Sequence, residues 1–253
     1  MEARPSALCE LVDEMKFRER KKYPIEAWSN IIEGHPAFIL GNGPSLLEND
    51  LTLIEQAFSI GLNRIYQVFD PTILLWQDKG LYRDGIHHLD NCAAIKCCRV
   101  AVDREGRWTN FRLESNPYKF HNKPHHLWGF GCSGALGVQL AVAMGANAIV
   151  MLGMDCDYEG PDKTDFYGKN EDHRPHTVRN FHKAAKWIQR DCPVPVYNCG
   201  RAKYWPRITL EEAVEKTQPT PVTRLQWLSR LSVEGEASGR YAVGDDRMGD
   251  CPL

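Results

Sequence analysis

The 253-residue chain is 43% hydrophobic and 25% charged, the balance of a globular protein that can bury one substantial core. Its formal net charge of −2 excludes a global pull towards nucleic acid or an anionic membrane, and no apolar run approaches the ~20 residues of a membrane span. Nine cysteines, odd in number and without a CxxC pair, point to reduced thiols in a cytoplasmic protein rather than to a disulfide or zinc framework.

Residues 5–22 carry Leu8, Leu11, Val12 and Met15 at helical spacing and predict an amphipathic helix with a basic end. Residues 37–40 read as a short buried strand that stops at Gly41, followed by the polar turn Gly41-Asn42-Gly43-Pro44-Ser45. A backbone without Cβ allows close approach of a ligand, and in an open α/β sheet this loop lies in the crevice beyond the strand's carboxyl end. Asn42 adds an amide that both donates and accepts, which suits a base, ribose or phosphate. The spacing is not a dinucleotide fingerprint, because Leu46 stands where a third glycine would, and no P-loop lysine follows. An ordinary strand-to-helix turn is the alternative.

Residues 51–57 predict a short helix, residues 58–62 a second strand ending at Asn63-Arg64, and residues 72–76 a third ending at Gln77-Asp78. Strands alternating with helices imply a mostly parallel sheet, so Asn42, Asn63 and Asp78 fall along one edge. The stretch 85–128 is less regular, with strands expected within 93–102 and 108–113 and a packed, histidine-rich surface loop at 118–126. Gly129 to Gly134 opens a helix over 135–144 that Gly145 closes. Ser133 is its expected N-cap, with a phosphate or carboxylate at the free amides.

Residues 148–152 are apolar throughout and predict a central strand, ending at Gly153-Met154-Asp155-Cys156-Asp157-Tyr158. A polar segment, 159–175, precedes a helix over 176–189, a short strand at 194–197 and a helix at 210–214. Beyond Lys216 the composition turns to Thr, Pro, Gly, Ser and acids, and only 225–231 reads as a small helix. Three parts result: an N-terminal helix and connection (1–36), a nucleotide-binding catalytic domain (37–216) and a partly disordered C-terminal tail (217–253).

Taken in order, ILGNGPSL, IGLNRIY, WQDKGLY, GCSGALGVQLAVAMGANAIVMLGMDCDY and a helix opening HTVRN resemble the bacterial sialyltransferases of glycosyltransferase family 42. They also resemble a wider group that includes pterin pyrophosphokinase-like proteins, and the likeness covers about residues 37–198. It implies an α/β fold with a single Rossmann-like, GT-A-type domain, flanking helices and a lid segment. It implies a nucleotide-sugar donor over Gly41, Asn42, Gly43, Ser45, Asn63, Asp78, Ser133 and Gly134, with Tyr158 and Tyr167 on the phosphate. Asp78 stands where that family has asparagine, and Leu62 and Arg64 flank Asn63 in place of its cysteine and glutamine.

The family's general base falls on His176. Imidazole suits proton abstraction near neutral pH, and the dipole at a helix start disfavours an imidazolium. His173 and His182 are its rivals. Asp155 and Asp157 share one side of an extended chain. This allows a catalytic role for Asp155 and shared Mn²⁺ or Mg²⁺ coordination, although a CMP-sugar donor requires no metal. The leading expectation is therefore a glycosyltransferase acting on an acceptor glycan or another hydroxyl compound, a modified DNA base included, as a monomer or oligomer. A Mg²⁺-dependent pyrophosphokinase using ATP on a hydroxymethyl heterocycle, with Asp78, Asp155 and Asp157 on the metal, and a non-catalytic nucleotide-binding module are the alternatives.

Overall fold

The computed structural model describes residues 22–81, 89, 92–103, 106–114, 119–155, 164–168 and 175–232. Eight strands form one sheet: β1 (Pro36–Leu40), β2 (Ser59–Leu62), β3 (Ile73–Trp76), β4 (Ile95–Arg99), β5 (Thr109–Leu113), β6 (His126–Leu127), β7 (Ala148–Leu152) and β8 (Val196–Asn198). Their order is β6-β5-β4-β3-β2-β1-β7-β8, and every pairing is parallel. The α/β architecture expected from the alternating pattern is the one observed.

The order reverses between β1 and β7. The chain builds outward from β1 to β6, then returns through helix α1 (Ser133–Ala143) to lay β7 against the other side of β1. Such a reversal leaves a crevice at the carboxyl ends of the two strands, because their connections leave on opposite faces.

Alternation divides the core. Ile39, Ile60, Leu62, Ile73, Leu75, Ile149 and Met151 point to one face, which α1, α2 (Pro175–Asp191) and α4 (Arg224–Leu231) cover. Phe38, Leu40, Leu74, Trp76, Val150 and Leu152 point to the other, under 3-10 turns at Pro44–Glu48 and Leu51–Ile54 and helix α3 (Leu210–Thr217). Adjacent Cys97 and Cys98 follow the same rule, one on each face. Helix α1 is buried nearly all round, and Gly137 lets it sit on β1 and β2, where a Cβ would come within 3.1 Å of Ile39 and 3.2 Å of Leu62.

Five expectations need correction. The helix expected over 51–57 is a single 3-10 turn with Asp50 as its cap. Ser133 is the first residue of α1 rather than its cap, which is Cys132. The last strand is shifted to Val196–Asn198, and α3 runs on to Thr217. The stretch after Lys216 is not loose as far as Ser232: Val222, Trp227 and Leu231 are buried, and Trp28 Nε1 donates to the Leu231 carbonyl at 3.1 Å. The helix expected over 5–22 lies outside the described residues, Lys22 apart.

Candidate functional site

Backbone pairing between β1 and β7 continues past both strands. Gly41 N–H donates to the Leu152 carbonyl at 2.7 Å and Gly43 N–H to the Gly153 carbonyl at 2.8 Å. A Cβ on Gly41 would lie 2.4 Å from Gly153 O, and one on Gly43 2.5 Å from Asp155 Oδ2. Gly43 has φ −61°, so glycine is needed here for approach and not for backbone freedom.

Asp155 sits where this seam ends, only 6% exposed. Its carboxylate accepts from the Ser45 amide at 3.0 Å, the Ser45 hydroxyl and the Arg201 amide at 3.0 Å. Those bonds tie the loop after β1, the end of β7 and the loop after β8 into one unit. Glu48 repeats the tie at the surface, where it pairs with Arg207 and Arg201, and the Arg207 hydrogen bond chiefly holds its carboxyl below the usual range. Of the bonds to Asp155, Oδ1 accepts two and Oδ2 one. Among the described residues, no three His, Cys, Asp or Glu side chains gather as a metal set. Asp157, the other member of the pair expected to hold Mn²⁺ or Mg²⁺, lies outside the described residues.

Asn42 is 8% exposed and gives Nδ2 to the Leu62 carbonyl at 3.1 Å, which fixes the orientation of its amide. Its Oδ1 is buried and has no partner among the described residues. Leaving such an acceptor unmatched costs ~1–3 kcal/mol. Next to it Asn63 ends β2 with φ +51°, in the left-handed region that asparagine tolerates. A tight turn at 164–168, bridged between Asp165 and Gly168, packs against the backbone of Asn42 and against Arg64. Phe166 N–H donates to the Asn42 carbonyl at 2.7 Å, and the Arg64 guanidinium lies 5.3 Å from the centroid of the Tyr167 ring.

At the end of β3 the inward residue is Gln77 rather than Asp78. Gln77 Nε2 donates to Ser133 Oγ at 3.2 Å, whereas Asp78 is exposed. Parity explains this: Ile73, Leu75 and Gln77 share the face that carries α1. The period of the strand held that signal, and the Asp-for-Asn likeness obscured it. Gly134, the next residue of α1, faces Met154, whose methyl lies 1.8 Å from where a Cβ would stand.

The turn into α1 has two left-handed residues, Phe130 (φ +55°) and Gly131 (φ +73°), closed by Cys132 N–H donating to the Gly129 carbonyl at 2.7 Å. Helix α2 lies against this turn. Asn180 Nδ2 is 3.6 Å from the position of a Cβ on Gly131, and the Trp187 ring meets Trp128 and Phe130 edge-on. His176, Asn180, Ala184 and Trp187 recur at helical spacing, so His176 is the exposed end of the stripe facing the turn. His182 is engaged elsewhere, with Nδ1 2.6 Å from the Tyr204 hydroxyl. Tyr158 and His173 lie outside the described residues. Asn42, Ser45, Asn63, Ser133, Gly134 and Asp155 thus meet along the carboxyl edge, joined by Gln77 and the Arg201 amide, which motif reading missed.

The parallel sheet, with its strand order reversed between β1 and β7, is a fold shared with glycosyltransferases of known structure. Among solved structures, the MAf glycosyltransferase from Magnetospirillum magneticum AMB-1 aligns with a TM-score of 0.56 at 17% identity, over 87% of this chain and 42% of that one. The chain therefore spans less than half the length of that protein. The sialyltransferase CstII from Campylobacter jejuni aligns with a TM-score of 0.39 at 15% identity, over 66% of this chain and 80% of that one. Cst-I, an α-2,3-sialyltransferase of the same organism, aligns at 0.40 and 13%, over 76% and 82%. No protein-family model and no curated protein matches the chain. No helix among the described residues is long and apolar enough to cross a membrane.

Proposed function

We propose that this chain is a glycosyltransferase that binds a nucleotide-sugar donor, of CMP or UDP type, beyond the carboxyl ends of β1, β2 and β7. The observation that carries the reading is the oriented, buried and unmatched Asn42 Oδ1 at the crevice: a ligand hydroxyl or amino group supplies the donor it lacks. The α/β fold shared with the MAf glycosyltransferase supports sugar transfer as the chemistry.

In this reading the nucleotide lies over Asn42, Gly43 and Asn63, and its phosphate approaches Ser133 and Gly134 at the start of α1. Gln77 donates to Ser133 Oγ, which leaves the serine O–H free to donate onward to the ligand. His176, exposed at the mouth, takes the proton of an acceptor hydroxyl as that oxygen bonds to the sugar carbon and the sugar–phosphate bond breaks. The electron pair leaves with the nucleotide. Positioning supplies most of the rate, and the base adds ~10²–10⁴-fold. Asp155 acts as the brace that shapes the loop, and donor binding proceeds without a metal held there.

Thermal stabilisation by CMP, UDP, UDP-sugars and ATP, each with and without Mn²⁺ or Mg²⁺, tests the reading. A ligand at a hundred times its dissociation constant adds ~2.7 kcal/mol. We expect a metal-independent shift with a cytidine or uridine nucleotide that Asn42→Ala abolishes. His176→Ala should keep the shift and lose transfer; undiminished transfer would remove the base assignment. A strict Mg²⁺ requirement with preference for ATP would favour the pyrophosphokinase instead.

A further inference from the structure

We infer that Arg64 is the cation that receives the donor's phosphate charge, a specificity that rests on the crevice being the nucleotide site. Arg64 follows Asn63 at the carboxyl end of β2 and is half-buried. Arg201 and Arg207 are taken by Glu48, Arg224 by Asp70 and Arg190 by Asp191. Arg64 has no carboxylate partner among the described residues; its contact is the face of Tyr167.

A guanidinium resting on an aromatic face keeps its in-plane N–H fork available, which is the geometry that grips two phosphate oxygens at once. The platform is itself part of the site. Tyr167 belongs to the 164–168 turn, whose Phe166 amide is bonded to the Asn42 carbonyl. Arg64 is therefore held from the same two elements that frame the unmatched Asn42 oxygen. A half-buried cation beside the crevice, stacked on a ring and with no carboxylate partner among the described residues, fits an anionic ligand. The chemical class is a nucleoside mono- or diphosphate, with the nucleoside at Asn42 and the phosphate held between Arg64 and the start of α1. Arg64 then supplies the phosphate's counter-charge directly from a side chain.

The test compares cytidine, CMP and CDP binding by calorimetry in the full chain and in Arg64→Gln, Arg64→Lys and Tyr167→Leu. The wild type should bind CMP at least tenfold more tightly than cytidine, and CDP more tightly again, with an advantage that shrinks as salt rises. Arg64→Gln should lose about tenfold or more of the CMP and CDP affinity while cytidine binding, which also reports correct folding, stays unchanged. Arg64→Lys should recover part of the loss, and Tyr167→Leu should show a smaller loss confined to the phosphate-dependent part. CMP affinity equal to wild type in Arg64→Gln, an equal loss for cytidine and CMP, or a wild type that binds neither ligand overturns the assignment. Transfer is read separately. Phosphate-dependent binding without sugar transfer leaves Arg64 in place and removes the glycosyltransferase, whereas transfer that Arg64→Gln leaves intact does the reverse.

Discussion

Glycine at positions 41 and 43 is required by what lies opposite. At Gly41 the obstacle is the Gly153 carbonyl, and at Gly43 the Asp155 carboxylate together with that same carbonyl, 2.7 Å away. Backbone cannot swing aside, so alanine at either position must part β1 from β7. We expect each to cost ~2–4 kcal/mol in denaturant unfolding. Gly134→Ala meets only the end of the flexible Met154 side chain and should cost far less. Equal losses at all three positions would mean that the seam is not as tight as described. Asp155→Ala should be worse than a loss of charge alone, since the buried Ser45 amide and the part-buried Arg201 amide lose their acceptor at once.

The element that departs most from a surface appendage is α4. Its Thr223 and Gln226 form a capping box, Trp227 packs edge-on against Phe58, and the Val222 amide donates to the Gln56 carbonyl at 2.9 Å. Trp227→Ala should cost ~3–5 kcal/mol, and a chain ending at Thr217 should melt lower still, because it uncovers Trp28 and Phe58. Unchanged melting after truncation would return α4 to the tail. Its anchor also titrates. Burial pushes the Asp70 carboxyl up, but the hydrogen bond and charge of Arg224 outweigh it and hold the group below its ordinary value. A depressed folded value means that this stability is present above the unfolded carboxylate range and is lost as pH falls through the lowered one. The pair is partly exposed, so about 1 kcal/mol or less is at stake. Arg224→Ala should flatten the acid limb of a melting-temperature profile, and an unaltered limb would count against the pair.

Across the whole molecule, the six described cysteines are reduced and report on the integrity of the sheet. Burial pushes the Cys199 thiol up to about 12 and the Cys192 thiol to about 11, and pushes Cys97 and Cys98 higher still. Of these six, site-resolved alkylation at pH 8 should reach Cys192 first, while Cys97 and Cys98 should react only as fast as the molecule unfolds. Rapid native labelling of that pair would contradict a central β4 covered on both faces.

Short-range pattern made the strands, the glycine loop, the Gly145 stop and the general class of fold readable, since hydrophobic period and backbone permission are local properties. Asn42, Asn63 and Ser133 were legible as edge residues for the same reason. Which polar residue turns inward, and what it meets there, was not. Gln77 displaces Asp78 because α1 lies over one face of β3, Asp155 is consumed by Ser45 across 110 residues of chain, and Trp227 is drawn into a core that its neighbours' composition disguises. Partners so distant in the chain leave no mark in the periodicity of either segment. Only the tertiary structure decides them, because the cost of a buried polar group depends on what is folded against it.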